Sequence, residues 1–450
     1  MTTTQTATSA RTVAEGLILE ENHDLPLCRL QLTLRVGATS DQTAAGTAAS
    51  GGPPAMGLCN FASELQRRGA GGRSRASIDE SLDSLGAGLS IVCWHDQVLY
   101  EVMSLREHFE RAVELLADVV LRPDYPEEES ERLRRELLAN LDDLRDDDSG
   151  LLHRFFGRAL YGNTPYGRPV AGTEDSTRAI GLSSAWDWHR HHVVAGNLLV
   201  GSAGAMSRPE IESLLGNYFG TIAGGPRRDE PIAAPPARKG RKVLIVDKPE
   251  RTQSQILIGQ LAPHWKDPHW LPLHVATTAF GGTFTARLMD EVRAKRGLSY
   301  GASARLGNGR GQRSLYAHVF PSAQQTAETV DLVLRLYEEW AEKGLRPGEL
   351  DFVKSYLQKS HAFSVQTADD RLNLRTRLQI CDMPSDDEKT YPVRVGQVTE
   401  SDIAQAMQSC LRPDDLLITI VATADTILPS LQKLPSLKNA DFEVVPYDSY

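Results

Sequence analysis

The stretch Gly281-Gly282-Thr283-Phe284-Thr285-Ala286-Arg287-Leu288-Met289-Asp290-Glu291-Val292-Arg293-Ala294-Lys295-Arg296-Gly297-Leu298-Ser299-Tyr300 opens onto the rest of the chain, because what surrounds it occurs twice. Its tail, Gly297-Leu298-Ser299, has a counterpart in Gly88-Leu89-Ser90. Beyond each copy runs a strand-like segment, Val98-Leu99-Tyr100-Glu101-Val102 in one case and Ser314-Leu315-Tyr316-Ala317-His318-Val319 in the other. An amphipathic helix pattern follows both, with Phe109, Val113, Leu116 and Val120 on one face of the first helix and Val330, Val333, Leu334 and Tyr337 on one face of the second. Upstream, Arg29 to Val36 alternates with period two, which predicts a strand with one buried face. Ser254 to Gly259 is its counterpart. The chain therefore reads as an internal duplication.

Longer helices continue each half. Pro126 precedes Glu127, Glu128 and Glu129, and Pro347-Gly348-Glu349 opens a similar segment. Proline suits the first turn of a helix, and acids suit its positive end. Thr399-Glu400-Ser401-Asp402 has capping-box spacing. Each half closes on an apolar strand, Asn197 to Val200 and Leu416 to Val421. Strands, then helices, then strands again predict α+β sandwich layers, two duplicated α/β sandwich domains, and not a doubly wound parallel sheet. Pro and Gly cluster near mid-chain. The expected division is a disordered lead-in over 1–11, a first domain over 12–223, a linker over 224–242 and a second domain over 243–450. Gly37 to Pro54 reads as a loop.

With 450 residues the chain exceeds the usual domain of about 100–200. No apolar run of membrane-spanning length occurs, and the Thr/Ser/Ala-rich start has no apolar core, so neither a membrane span nor a secretory signal is expected and the cytoplasm is the default address. A net charge of −10 argues against nucleic acid as a partner. Five scattered cysteines (Cys28, Cys59, Cys93, Cys381 and Cys410) form no close pair in sequence, which argues against a disulfide framework or a structural zinc site. Gly307 to Gly311 reads as a hairpin loop, because it lacks the strand–turn–helix setting of a dinucleotide site. His189 and His192 share a helix face, but no carboxylate or thiol near them in sequence completes a metal site. His95-Asp96 has no nucleophile motif to serve.

The opening stretch resembles the second-domain signature of the pitrilysin/insulinase-type zinc peptidases, the inverzincins. Pro165 to Glu174, Ser81 to Leu89, and Ala112 to Asp118 with Pro126 are similar to further family segments, and the resemblance runs roughly from 12 to 430. It implies a two-domain half of a clamshell. In active members His-x-x-Glu-His on a first-domain helix supplies two zinc ligands and the base, and a distant Glu is the third ligand. Here the matching helix reads Gly57-Leu58-Cys59-Asn60-Phe61-Ala62-Ser63-Glu64-Leu65. Asn60 and Glu64 stand for the two His and Ser63 for the base, and counting on gives Asn140 for the third ligand. Glu136, one turn earlier, could face the same way. Zinc catalysis needs three imidazole, thiolate or carboxylate ligands and an open position, so this chain is expected to bind no metal and to be inactive alone.

The resemblance also assigns an Arg…Tyr pair to Arg293 and Tyr300, with Gly281 and Gly282 beside them in a peptide-binding segment. Tyrosine hydroxyl and guanidinium can stabilise the oxyanion that forms when water attacks a peptide carbonyl. A chain that keeps this pair and lacks the zinc motif is expected to be the non-catalytic subunit of a heterodimer. Its catalytic metallopeptidase partner, carrying His-x-x-Glu-His, would supply zinc. This chain would close the chamber, bind peptide substrate and contribute Arg293 and Tyr300 in trans, for small or precursor peptides. The alternatives are a peptide-binding, chaperone-like subunit and a structural, core-type subunit.

Overall fold

The computed structural model describes residues 16–42, 56–228 and 232–449. The expected lead-in over 1–11 and most of the Gly37–Pro54 loop lie outside the described residues. Of that loop, Ala38–Gln42 forms a short 3-10 turn.

The first half contains β1 (Ile18–Glu21), β2 (Leu27–Leu34), α1 (Leu58–Gln66), β3 (Gly88–Cys93), β4 (Val98–Leu105), α2 (Arg106–Leu121), α3 (Glu127–Asp143), α4 (Asp148–Tyr161) and β5 (Leu198–Gly204). The second contains β6 (Lys242–Asp247), β7 (Gln255–Leu261), β8 (Ser299–Leu306), β9 (Ser314–Pro321), α5 (Thr326–Lys343), α6 (Glu349–Ser364), α7 (Ala368–Ile380), β10 (Leu417–Ala422) and β11 (Asp441–Pro446). The duplication is plain in the sheet orders, β1-β5-β2-β4-β3 and β8-β9-β7-β10-β6-β11. In each, one parallel pair (β1 with β5, β6 with β10) is followed by three antiparallel pairings in the same sequence, and β11 is an addition to the second.

The chain forms two compact units that do not coincide with its two halves. One holds residues 1–141, 168–232 and 363–388, the other 142–167, 233–362 and 389–450. The change from one to the other near mid-chain lies inside the expected linker, but the segment with α4 belongs with the second sheet and the segment with α7 with the first. This exchange corrects the expectation of a β2 with one buried face. Gln31 and Thr33, on its polar side, are each only 1 % exposed. Gln31 donates to Asn373 on α7 at 2.8 Å, and Arg371 and Arg375 of α7 pair with Glu20 on β1. Leu372 packs on Ile18 and Ala203. In the second unit Lys248, just after β6, reaches Asp148 at the start of α4 at 2.6 Å, and the Phe156 ring meets Tyr316 of β9.

The opposite face of each sheet carries the helices that the periodicity predicts. Phe109, Val113, Leu116 and Val120 of α2 are fully buried, as are Val330 and Val333 of α5. Burying such side chains stabilises each unit by about 1.5–3 kcal/mol apiece. The Thr399–Asp402 capping box forms with both reciprocal bonds. His189 is committed to the Val120 carbonyl at 2.8 Å, and the Gly307–Gly311 segment joins β8 to β9.

Candidate functional site

Two places carry the chemistry that the sequence singles out, one in each unit. In the second unit, the chain runs from a π-helical turn at Thr278–Gly282 through an open loop into a second π-helical turn at Asp290–Ala294, and then into β8. Such wide turns re-aim side chains that a regular helix would keep in register. Phe280 anchors the first, stacked on Trp340 of α5 with ring centroids 4.6 Å apart. Buried Arg287 anchors the middle through Glu349 at 2.7 Å, and Glu291 the second turn through Lys295 at 2.8 Å and Arg296 at 2.5 Å. Those two hydrogen bonds hold the Glu291 carboxyl down at about 2.

On this frame the structure brings Arg293 and Tyr300 together. The guanidinium lies 4.7 Å from the Tyr300 ring centroid and 5.1 Å from that of Phe284. Tyr300 is 79 % exposed and Phe284 71 %. Two large rings left in solvent around a cation are unusual, and each stack contributes about 0.5–1 kcal/mol at such a site. Tyr300 sits on β8, the edge strand of its sheet, next to an irregularity between Ser299 and Ala302. Sequence reasoning passed over Phe284, although it stands in the quoted stretch. Its signal was an aromatic residue in a glycine-led, polar loop.

The two glycines part company. Gly282 is exposed. Gly281 is buried, and a Cβ there would come within 2.5 Å of the Ala304 backbone nitrogen on β8. Gly281 therefore lets the loop seat closely against β8.

In the first unit, α1 carries Asn60, Ser63 and Glu64. Asn60 is 9 % exposed and bonds to the Glu64 carboxylate. Ser63 is fully buried, and its hydroxyl donates back to its own helix, to Cys59 O at 2.8 Å and Asn60 O at 3.1 Å. It therefore faces no reacting group. Asn140 is exposed on α3. The acids of α3 that meet Arg68, two residues past the end of α1, are Glu136 and Glu129.

Buried Arg68 holds both acids, Glu136 at 2.5 Å and Glu129 at 3.5 Å, and Arg75 approaches them at 3.7 and 3.5 Å. The Arg68 bond keeps the Glu136 carboxyl at about 2. Burial pushes the Glu64 carboxyl up, against the Asn60 bond and the Arg68 charge. A cleft of about 260 Å³ opens here, lined by Glu64, Arg67, Arg68, Arg75, Asp79 and Ile91. The donors do not fit zinc. Glu129 and Glu136 already have a guanidinium partner in Arg68, Glu64 is bonded by the Asn60 amide, and an inward-turned hydroxyl stands where a base would be needed. Among the described residues no group of three or more His, Cys, Asp or Glu is placed to hold a metal ion.

Comparison with known proteins identifies the family. Residues 17–174 match the family model described as Insulinase (Peptidase family M16), and 180–357 match the Peptidase M16 inactive domain. The chain is 28 % identical over 311 residues to an uncharacterized zinc protease of Mycobacterium leprae, covering 68 % of this chain and 69 % of that one. It is 24 % identical over 416 residues to the non-peptidase homolog YmxG of Helicobacter pylori, covering 90 % and 91 %. Among solved structures, a peptidase M16 inactive domain from Pseudomonas fluorescens superposes with TM-score 0.81 at 23 % identity, covering 90 % of this chain and 94 % of that one. The chain belongs to the insulinase (peptidase M16) family, as a member without the His-x-x-Glu-His motif.

Proposed function

We propose that this chain is the non-catalytic subunit of a heterodimeric zinc metallopeptidase, binding peptide and lending Arg293 and Tyr300 to a partner that carries His-x-x-Glu-His and the zinc. The observation that carries this reading is the solvent-exposed Phe284–Arg293–Tyr300 cluster, together with the pairing of Arg68 with Glu136 next to Glu64. A phenol and a guanidinium held side by side are suited to stabilise negative charge on a peptide carbonyl oxygen. Two relatives lend support through their own descriptions. One is a non-peptidase homolog, and another, 23 % identical over 225 residues, is the beta subunit of the bovine mitochondrial-processing peptidase. The exposed rings also favour a second reading, a peptide-binding subunit that delivers substrate without helping cleavage.

Affinity purification of the tagged chain from its own cells, with bound proteins identified and zinc counted, tests the proposal. The expected result is a near-stoichiometric partner with His-x-x-Glu-His, about one zinc per pair, and peptidase activity only in the pair. Zinc on this chain alone, or activity of this chain alone, would overturn it.

A further inference from the structure

Two thiols meet beneath the start of α1. Cys59, the second residue of α1, is fully buried, and Cys93, the last residue of β3, is half-buried beside the exposed Trp94. Their Sγ atoms lie 3.3 Å apart. A disulfide bond of about 2.05 Å needs an approach of little more than 1 Å from this separation. Both backbones are well held. The carboxylate of buried Asp41 accepts from Gly57 N at 2.8 Å and Cys59 N at 2.9 Å, fixing the first turn of α1. Cys93 stands in register opposite Val98 in the β3–β4 ladder. The pair joins residues 34 positions apart that neither the sequence spacing nor the family resemblance marks.

We propose that Cys59 and Cys93 form a reversible disulfide, tying the helix that bears Asn60 and Glu64 to the edge strand of the first sheet. The oxidant is a low-molecular-weight disulfide of the oxidised-glutathione class. The Cys93 thiolate attacks one sulfur of that disulfide, its S–S bond breaks, and one glutathione leaves as thiolate and takes a proton from water. Cys59 then loses its proton to water and attacks Cys93 Sγ, expelling the second glutathione. Two protein thiols give up two electrons, and one glutathione disulfide becomes two thiols. Access sets the order. Cys93 is reachable from solvent, whereas burial pushes the Cys59 thiol well up, with the neighbouring Cys93 adding to the effect. Asp41, itself pushed up to about 7 by burial, lies on the same side of Cys59 and disfavours its thiolate further. Cys59 is thus a resolving thiol that acts only once its neighbour carries the mixed disulfide.

The full chain incubated with oxidised glutathione, trapped with an alkylating agent under unfolding conditions and mapped without reduction, tests this. The expected product is one peptide pair joined through Cys59 and Cys93, with two of the five thiols lost. Its thermal midpoint should rise by about 4 °C or more and fall back on adding a dithiol. Cys93→Ser should abolish the link and the shift. Cys59→Ala should trap Cys93 as the glutathione mixed disulfide. A wild-type chain that stops at a mixed disulfide on Cys93, with Cys59 still alkylated, would overturn the proposal, as would a link through Cys28, Cys381 or Cys410.

Discussion

The guanidinium of Arg68, two residues past the end of α1, lies 2.5 Å from the carboxylate of Glu136 on α3, tying the end of one helix to the other beside Glu64. Arg68 is 9 % exposed and also reaches Glu129, so one buried cation balances two acids on the facing helix. Removing it strands those charges. Arg68→Met should destabilise the chain by about 3 kcal/mol, because breaking a buried ion pair leaves an uncompensated charge. Glu136→Gln, at a more exposed position, should cost less. Denaturant unfolding of the purified chain checks both, and equal effects would mean that burial of Arg68 does not set the magnitude.

The same pair makes a metal unnecessary for joining the two helices. A chelator should leave the thermal midpoint of the isolated chain unchanged, and added zinc should not raise it. A site that contributes to folding would instead give a clear fall on chelation.

Acid should act through Glu136 and Glu291. Both carboxyls sit at about 2 in the folded chain, held there first by hydrogen bonds from Arg68 and from Lys295 and Arg296. Their folded values lie below the unfolded value, so their stabilisation is present above about pH 4.5 and is lost as pH falls towards 2. The Glu136 side chain is 40 % exposed, and solvent screening limits its share to about 1 kcal/mol. Unfolding curves at pH 6 and pH 3 should differ less for Glu136→Gln and Glu291→Gln than for the natural chain.

Gly281 and Gly282 should respond differently to a methyl group. At Gly281 the added Cβ meets the β8 backbone at 2.5 Å, which cannot move without breaking strand pairing. Gly281→Ala should cost about 2–3 kcal/mol and displace Phe284. At Gly282 the nearest contact is the Thr278 methyl at 3.0 Å, a side-chain atom and not backbone, so the added methyl should cost less. Thermal unfolding of the two variants separates them.

Tyr300→Phe keeps the ring that covers Arg293 and removes only the hydroxyl. In the complex with a zinc-bearing partner, kcat should fall by about 10²-fold with little change in peptide affinity, the loss expected for one donor to an oxyanion. Unchanged kcat would leave Tyr300 a binding residue and favour the delivery reading. Phe284→Ala should instead weaken peptide binding a few-fold, because it removes one wall of the cluster.

Much of this was legible in the sequence by itself. Periodicity at Arg29–Val36, Phe109–Val120 and Val330–Tyr337 determined the strands and helices, since each element must turn an apolar face to a core. The repeated Gly-Leu-Ser and its flanking strands determined the duplication, and the residues at 60, 63 and 64 determined the loss of the zinc motif. The short separation of Arg293 from Tyr300 also let local structure place them together. Tertiary structure alone decided the rest. The placing of α7 on the first sheet buries Gln31 and Thr33 on a face that alternation marks as polar, because the covering helix comes from more than 300 positions away. That Arg68, just past α1, meets Glu136 and Glu129 follows from the packing of α1 on α3, which no count of residues fixes. Cys59 and Cys93 meet for the same reason: strand and helix are separate in the chain, and only their packing brings two sulfurs to 3.3 Å.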